Sequence, residues 1–297
     1  MFKDHKEHFY LADTILWCFV ATASLIGAIR SNNVWLIIPV AISEAKLGLV
    51  AHEACHRVNG AWPVLQLLYD CALGSRQMWI ANHNRGHHVF TNTVQDPDMQ
   101  ASPILRLLPE QPLYWFHAHQ WWYQYSLFAA LPVSLRINGL VHLHTRCVSK
   151  EIIKHYIVSL PATVLYIVWP CSLYGVWGLR FFFASNAILG LIYGTLFSVS
   201  HVNDRVLRGE EAAKSATHAE RQMRTTADWA PGSYWWNYWT GGLNHQVIHH
   251  LKPGVSSYEF PEMAARMIGV EPEYRTFPNL LEAIRSNVRI MHELGTR

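Results

Sequence analysis

Four apolar runs, at about 11–29, 34–50, 156–178 and 181–200, approach the ~20 residues a helix needs to cross a bilayer. A chain that carries them has few folds open to it. In hydrocarbon every backbone N–H and C=O must be bonded within the protein, which leaves helices or a closed barrel, and runs of this length predict helices. Only Arg-Ser-Asn-Asn at 30–33 separates the first two runs, and only a brief glycine-bearing turn near 178–180 separates the last two. Each pair therefore reads as a tight helical hairpin. Two hairpins place the N-terminus, the segment 51–155 and the segment 201–297 on one side of the membrane. That side holds most of the Lys and Arg, so it is expected to be cytoplasmic. The predicted architecture is an all-α membrane protein, with four transmembrane helices in two hairpins and a cytoplasmic helical cap, one domain over 1–297. A shorter apolar run near 123–133, interrupted by Pro132, reads as a membrane-surface or re-entrant helix.

Composition agrees with a membrane setting. Charged residues make up 15% of the chain, against roughly 25% in an ordinary soluble domain. The net charge of +3 is small and comes from scattered basic residues, so no nucleic-acid partner is expected. Cys18, Cys55, Cys71, Cys147 and Cys171 form no CxxC pair and are expected to be free thiols. The first ten residues mix acids with bases and no small-residue cleavage site comes after them, so the first run reads as a retained span rather than a signal peptide.

The 18 histidines are unevenly spread. Three groups stand out: His52-Glu-Ala-Cys-His56, His83-Asn-Arg-Gly-His87-His88 and His245-Gln-Val-Ile-His249-His250. On a helix, residues i and i+4 share a face, so His52/His56, His83/His87 and His245/His249 can each offer two imidazoles to one centre. His201 closes the last span at the membrane level where His52 follows the second. A lone HxxxH is most simply a core or surface histidine pair, and HExxH alone reads as a zinc protease helix with Glu53 as general base. Neither accounts for the two HxxxHH groups. Eight or nine imidazoles exceed the ~4 to 6 ligands of one divalent transition metal, so two ions are implied.

Imidazole suits Fe, Zn, Cu and Ni alike. The setting narrows the choice. A site at the membrane surface, under spans able to guide an acyl chain, points to a lipid-like substrate, and breaking an aliphatic C–H bond calls for redox chemistry that zinc cannot supply. The expected reaction uses O2 to remove one hydrogen from a methylene. Loss of a second hydrogen from the neighbouring carbon then gives an alkene, whereas return of oxygen gives an alcohol. The same ligands serve a desaturase or a hydroxylase, and no catalytic residue beyond the metal ligands is expected. The non-enzymatic alternative is a histidine-rich membrane carrier of metal or haem, which should string its ligands along the spans instead of gathering them at one end.

The motifs resemble the membrane fatty acid desaturase family, whose histidine boxes run HxxxH or HxxxxH, then HxxHH or HxxxHH, then (H or Q)xxHH. GHHVFTNTVQDPD at 86–98 is similar to the second-box region of acyl-lipid and front-end members, and TTADWAPGSYWWNYWTGGLNHQVIHHLKPGVSSYEFPEMA at 225–264 to their third-box region. The likeness spans about 47–264. It implies a mushroom-shaped helical fold and two iron ions held by His52, His56, His83, His87, His88, His201, His249 and His250, with O2 as co-substrate. The family's third box begins four residues before its last histidine, here Gln246; His245, four residues before His249, competes for the role and is preferred as the stronger ligand. Lys252 stands where the family often has Phe, and HEACH where many members have Asp and a small residue. With no HPGG-bearing cytochrome b5 domain in the chain, the implied partners are the bilayer, an acyl-chain substrate and a separate electron donor of ferredoxin or cytochrome b5 type.

Glu53, Asp96, Asp98, Asn92 and Asp204 flank the boxes and are candidates to orient ligating imidazoles; Asp96-Pro97-Asp98 reads equally as a turn. Glu44 and Lys46 interrupt the second span, either facing a cavity or lying near its wet end. His117, His119, His142 and His144 form HxH pairs, which face apart on a helix and are assigned no metal. Trp121, Trp122, Trp235, Trp236 and Trp239 fit an interfacial aromatic belt.

Overall fold

The computed structural model describes residues 7–31, 33–57, 62–145, 174–215 and 217–297, with isolated positions between 157 and 172. The protein is mostly helical and divides into two compact units, one of 1–80 and 128–193, the other of 81–127 and 194–297.

The first unit opens with α1 (Glu7–Ser31) and α2 (Ile37–Cys55). Asn33 ends the connection between them by accepting a hydrogen bond from Trp35 N at 3.0 Å. Pro39 falls in the first turn of α2, where its missing N–H has no helical partner to lose. The two helices run antiparallel. Tyr10 donates to Glu53, Asp13 pairs with Lys46 at 3.6 Å, and Gly27 lies against Leu36 next to the turn. Lys46 and Asp13 are both buried, so each cancels a charge that would be costly to hold alone in an apolar wall. The carboxylate of Glu53 also takes a 2.6 Å hydrogen bond from Arg57.

Among the described residues three helices are long and apolar enough to cross a membrane: His8–Ala28, Val34–Cys55 and Trp177–His201. The second runs past the expected end at Val50 because Ala51 to Cys55 are buried as well, so His52 is part of the helix itself, not of the segment after it. The expected span at 156–178 lies almost wholly outside the described residues. The turn expected at 178–180 falls earlier: Gly175 takes the left-handed φ of 57°, Gly178 N bonds back to its carbonyl at 2.9 Å, and α4 (Trp177–His201) has already begun. Gly178 is a helix residue, and Arg180 lies over the Trp177 ring at 3.9 Å.

The run near 123–133 is part of α3 (Gln120–Thr145), which continues through Pro132. Proline withdraws one N–H and pushes against the carbonyl four residues back. Gly190 of α4 meets this irregular turn: a Cβ there would lie 2.7 Å from Pro132 Cδ and would strike Phe128 O. One turn on, Arg136 donates to Pro132 O at 3.1 Å and to Asn186 Oδ1 at 2.7 Å. Farther along α4, Tyr193 donates to Ala45 O at 2.7 Å across Gly48.

The second unit has a core of its own, built from Met99, Leu105, Leu107, Leu108, Val202, Ile290, Met291 and Leu294. Its long helix, α8 (Leu280–Thr296), is capped by Asn279, which accepts from Glu282 N at 3.0 Å, and buries Ala283, Asn287, Ile290, Met291 and Leu294 at helical spacing. Shorter helices precede it: α5 (His218–Thr225), α6 (Tyr234–Thr240) and α7 (Gln246–Leu251). Among the described residues the all-α expectation meets one exception, a two-residue parallel pairing of Asp228–Trp229 with Thr276–Phe277. Cys18 and Cys171 are free thiols, as expected of these two, and Cys147 lies outside the described residues.

Candidate metal centre

The second histidine group sits on a π-helical segment, Ile80–His87, that passes into a short helix at His88–Phe90. A wider turn brings residues i and i+5 together. His83 Nε2 and His88 Nε2 are accordingly 3.1 Å apart, and their rings are closer than those of His83 and His87, at 4.6 Å against 5.3 Å. Gly86 lets the segment fold onto Pro97, whose Cγ would lie 2.7 Å from any Cβ at this position.

His87 is fixed by Asp96, whose carboxylate stands 2.9 Å from Nδ1. Burial opposes charge on this imidazole, yet Asp96 and then Asp98 hold it at about 8. The Nδ1–H of His87 donates to the carboxylate, so Nε2 is the atom left for a ligand. Asp96 also accepts from Asn92 N at 2.7 Å and from Asp98 N at 2.9 Å.

His201 ends α4, and His249 and His250 lie on α7. The His201 ring is 4.6 Å from that of His87 and 4.9 Å from that of His250. His249 lies 4.9 Å from His88. One donor atom from each of His87, His201 and His250 falls within 4.8 Å of the other two, and all three residues are buried. His250 Nδ1 donates to Gln222 Oε1 at 2.7 Å, and His250 Nε2 is buried with no hydrogen-bond partner among the described residues. Burial, then the neighbouring imidazoles of His88, His201, His87 and His249, keep His250 neutral by holding its pKa well below the ordinary value.

This donor set fits transition-metal ions. Two imidazole nitrogens ~2.1 Å from one ion at right angles stand about 3 Å apart, the separation of His83 and His88. His87 and His250 each have Nδ1 committed to the protein, which presents Nε2 in one tautomer.

His52 and His56 belong to the first unit, at the C-terminal end of α2, with rings 5.1 Å apart. His245 is placed differently from the other third-group histidines. Its Nε2 accepts from Gly232 N at 3.0 Å and its Nδ1 donates to Asn237 Oδ1 at 3.0 Å, so both nitrogens are already used. Burial holds it neutral, with the pKa brought down to about 4. Among the described residues it stands outside the groups of donors that converge, whereas Gln246 sets its amide nitrogen 3.0 Å from His201 Nε2.

Of the flanking residues, Asp96 reaches an imidazole directly, and Asp98 approaches His87 Nδ1 at 3.6 Å. Asn92 instead uses its amide to donate to the carbonyls of His201, Leu207 and Thr225, taking the left-handed φ of 58° to do so. Asp204 bonds Ser286 and Arg289. His117 bonds Tyr114 N and Pro103 O, a structural role. Two residues with no sequence signal complete the surroundings. Gln222 precedes the third-box likeness. Asp228 accepts from Val247 N at 2.7 Å and from Tyr274, which ties the start of α7 in place.

Comparison with known proteins gives this arrangement its relatives. The chain is 28% identical to the sn-1 linoleoyl-lipid 6-desaturase of Synechocystis sp., over 94% of this chain and 84% of that protein. It is 28% identical to the acyl-lipid (8-3)-desaturase of Physcomitrium patens, over 84% of the chain and 58% of the relative. With the probable Delta(5) fatty acid desaturase C of Dictyostelium discoideum it shares 27% identity, over 89% and 64%. The chain thus spans about three-fifths of the length of the last two. The sequence model described as "Fatty acid desaturase" matches residues 16–279, nearly the whole of the chain, and the chain belongs to the fatty acid desaturase family.

Proposed function

We propose that this chain is a multi-pass membrane oxidoreductase that uses O2 and two iron ions to introduce a double bond into the acyl chain of a lipid. The observation that carries the reading is the convergence of the buried imidazoles of His87, His201 and His250, in a chain of this family. Acyl-lipid substrates are favoured because the similar proteins are named for acyl lipids. The proposed ligands are His52, His56, His83, His87, His88, His201, His249 and His250, with Gln246 beside His201 and His245 as a structural residue. Bound iron would supply the oxidising power that a methylene C–H bond demands. The chain's own residues have other tasks: Asp96 and Gln222 set the tautomer and aim of His87 and His250, and burial keeps water from the imidazoles. We further propose four spans, with the third over 156–178, a cytoplasmic catalytic side, one working domain over 1–297, and a separate electron donor of ferredoxin or cytochrome b5 type.

The test is expression in a host of known lipid content, followed by mass spectrometry of its lipids and of fed acyl chains. A product lighter by two hydrogens supports the reading. A product heavier by one oxygen atom identifies a hydroxylase on the same ligands. Metal analysis accompanies it: about two irons per chain are expected from this number of imidazoles, and a single zinc or a haem would refute the di-iron assignment.

A further inference from the structure

We infer that Gln222 is the positioning residue that locks the second and third histidine groups together and sets the donor strength of His250; the inference rests on the metal reading above. Gln222 is fully buried on α5, and its carboxamide is used on both sides. The oxygen accepts from His250 Nδ1 at 2.7 Å and from Thr91 Oγ1 at 2.8 Å. The nitrogen donates to the backbone carbonyl of His88 at 3.0 Å. Thr91 Oγ1 also lies 2.7 Å from His87 O.

Few side chains could take this place. The oxygen makes His250 carry its proton on Nδ1 and present the buried Nε2, and the nitrogen fixes the carbonyl of a second proposed ligand at the same time. A hydrocarbon would leave His250 free to turn or to change tautomer, and would take the Gln222 donor away from the His88 carbonyl. Glutamate keeps the acceptor for His250 and adds charge, which makes the imidazole a stronger donor, but as an ion it cannot donate to the His88 carbonyl. Asp96 holds His87 with a carboxylate, whereas Gln222 holds His250 with a neutral amide. The two imidazoles thus face one another with unequal basicity.

The experiment uses the full-length protein in detergent, freed of metal by a chelator and titrated with Co(II), whose visible bands report its ligands. Q222L is expected to lower Co(II) affinity at one site by about 10- to 100-fold, while Q222E shifts the bands through the stronger donor it makes of His250. Q100L, at an exposed glutamine that bonds Val94 O, serves as control and should behave as wild type. Unchanged affinity and spectrum in folded Q222L would overturn the inference, since a merely structural residue would lower thermal stability and leave the bands alone. Where Q222L does not fold, Q222E decides: unshifted bands would overturn it. Failure of the wild-type protein to bind Co(II) would instead overturn the metal reading itself.

Discussion

Asp96 holds His87 and the turn beside it with one carboxylate: Oδ2 lies 2.9 Å from His87 Nδ1 and 2.7 Å from Asn92 N, and Oδ1 accepts from Asp98 N. Turn and imidazole partner, the two readings open to Asp-Pro-Asp in the sequence, are therefore both realised in Asp96. The partner of a ligating imidazole is worth about 10- to 100-fold in metal affinity. D96A is expected to lose iron on this scale and to lose product with it. Asp98 is half-exposed and more distant, so D98A should fall much less. Iron per chain, measured by plasma mass spectrometry, checks both, and equal losses would contradict the ranking.

His245 and His250 are five residues apart in one motif and make different contacts. H245A removes an acceptor from Gly232 N and a donor to Asn237 in a fully buried site, at about 2–5 kcal/mol of stability. Its folded fraction should keep its iron. H250A should lose iron with a smaller effect on the metal-free protein. Thermal unfolding and metal analysis of the two variants separate these outcomes, and iron lost from folded H245A would restore His245 as a ligand.

Much of this was legible in the sequence, and the parts that were not share a cause. Apolar length located three described spans, because the bilayer requirement is nearly local. The ends were harder: α2 runs on to Cys55 because tertiary burial, not hydropathy, holds its last turn, and Gly178 read as punctuation although Gly175 makes the turn. Pro132 read as a break, but Gly190 opens room for the irregular turn. The histidines announced themselves by number and spacing. Their pairing did not, since the i, i+4 rule assumes an α-helix and 80–87 is a π-segment. Nor does spacing show that Gly232 and Asn237 reach His245 through the fold, or that the Gln246 amide lies beside His201. Gln222 is an ordinary residue in sequence and acquires its role from three distant partners.

Tyr193 and Gly48 set the spacing between α4 and α2. A methyl at position 48 would strike the Tyr193 hydroxyl, which is held by Ala45 O. G48A is expected to cost about 1–3 kcal/mol through overpacking. Adding Y193F removes the oxygen it strikes and should recover part of the loss. A thermal-unfolding cycle over the two positions measures the coupling, and strictly additive losses would show that the contact is not what G48A disturbs.

Asp13 and Lys46 make a buried pair between α1 and α2. Removing one partner takes from the other the opposite charge 3.6 Å away, so D13L or K46M alone should destabilise by up to about 3–5 kcal/mol, while the double replacement D13L/K46M should lie closer to wild type. Detergent-phase unfolding distinguishes the two patterns. A double variant as weak as either single one would indicate that the pair does more than neutralise itself.

Asp228 connects pH to the third histidine group. Burial raises its carboxyl from the ordinary 3.8 to about 7, against the hydrogen bonds from Tyr274 and Val247 that favour the ion. Between these two values the folded protein keeps a proton that the unfolded chain has released. Stability from this group is therefore highest below about pH 4, falls as pH rises, and reaches its minimum above about pH 7. D228N preserves an acceptor for Val247 N and does not titrate. Its unfolding midpoint should show a flatter slope than wild type between pH 4 and pH 7, and it should match or exceed wild type at pH 8. Identical slopes in the two proteins would mean that Asp228 is already ionised in the fold, with its hydrogen bonds from Tyr274 and Val247 outweighing burial.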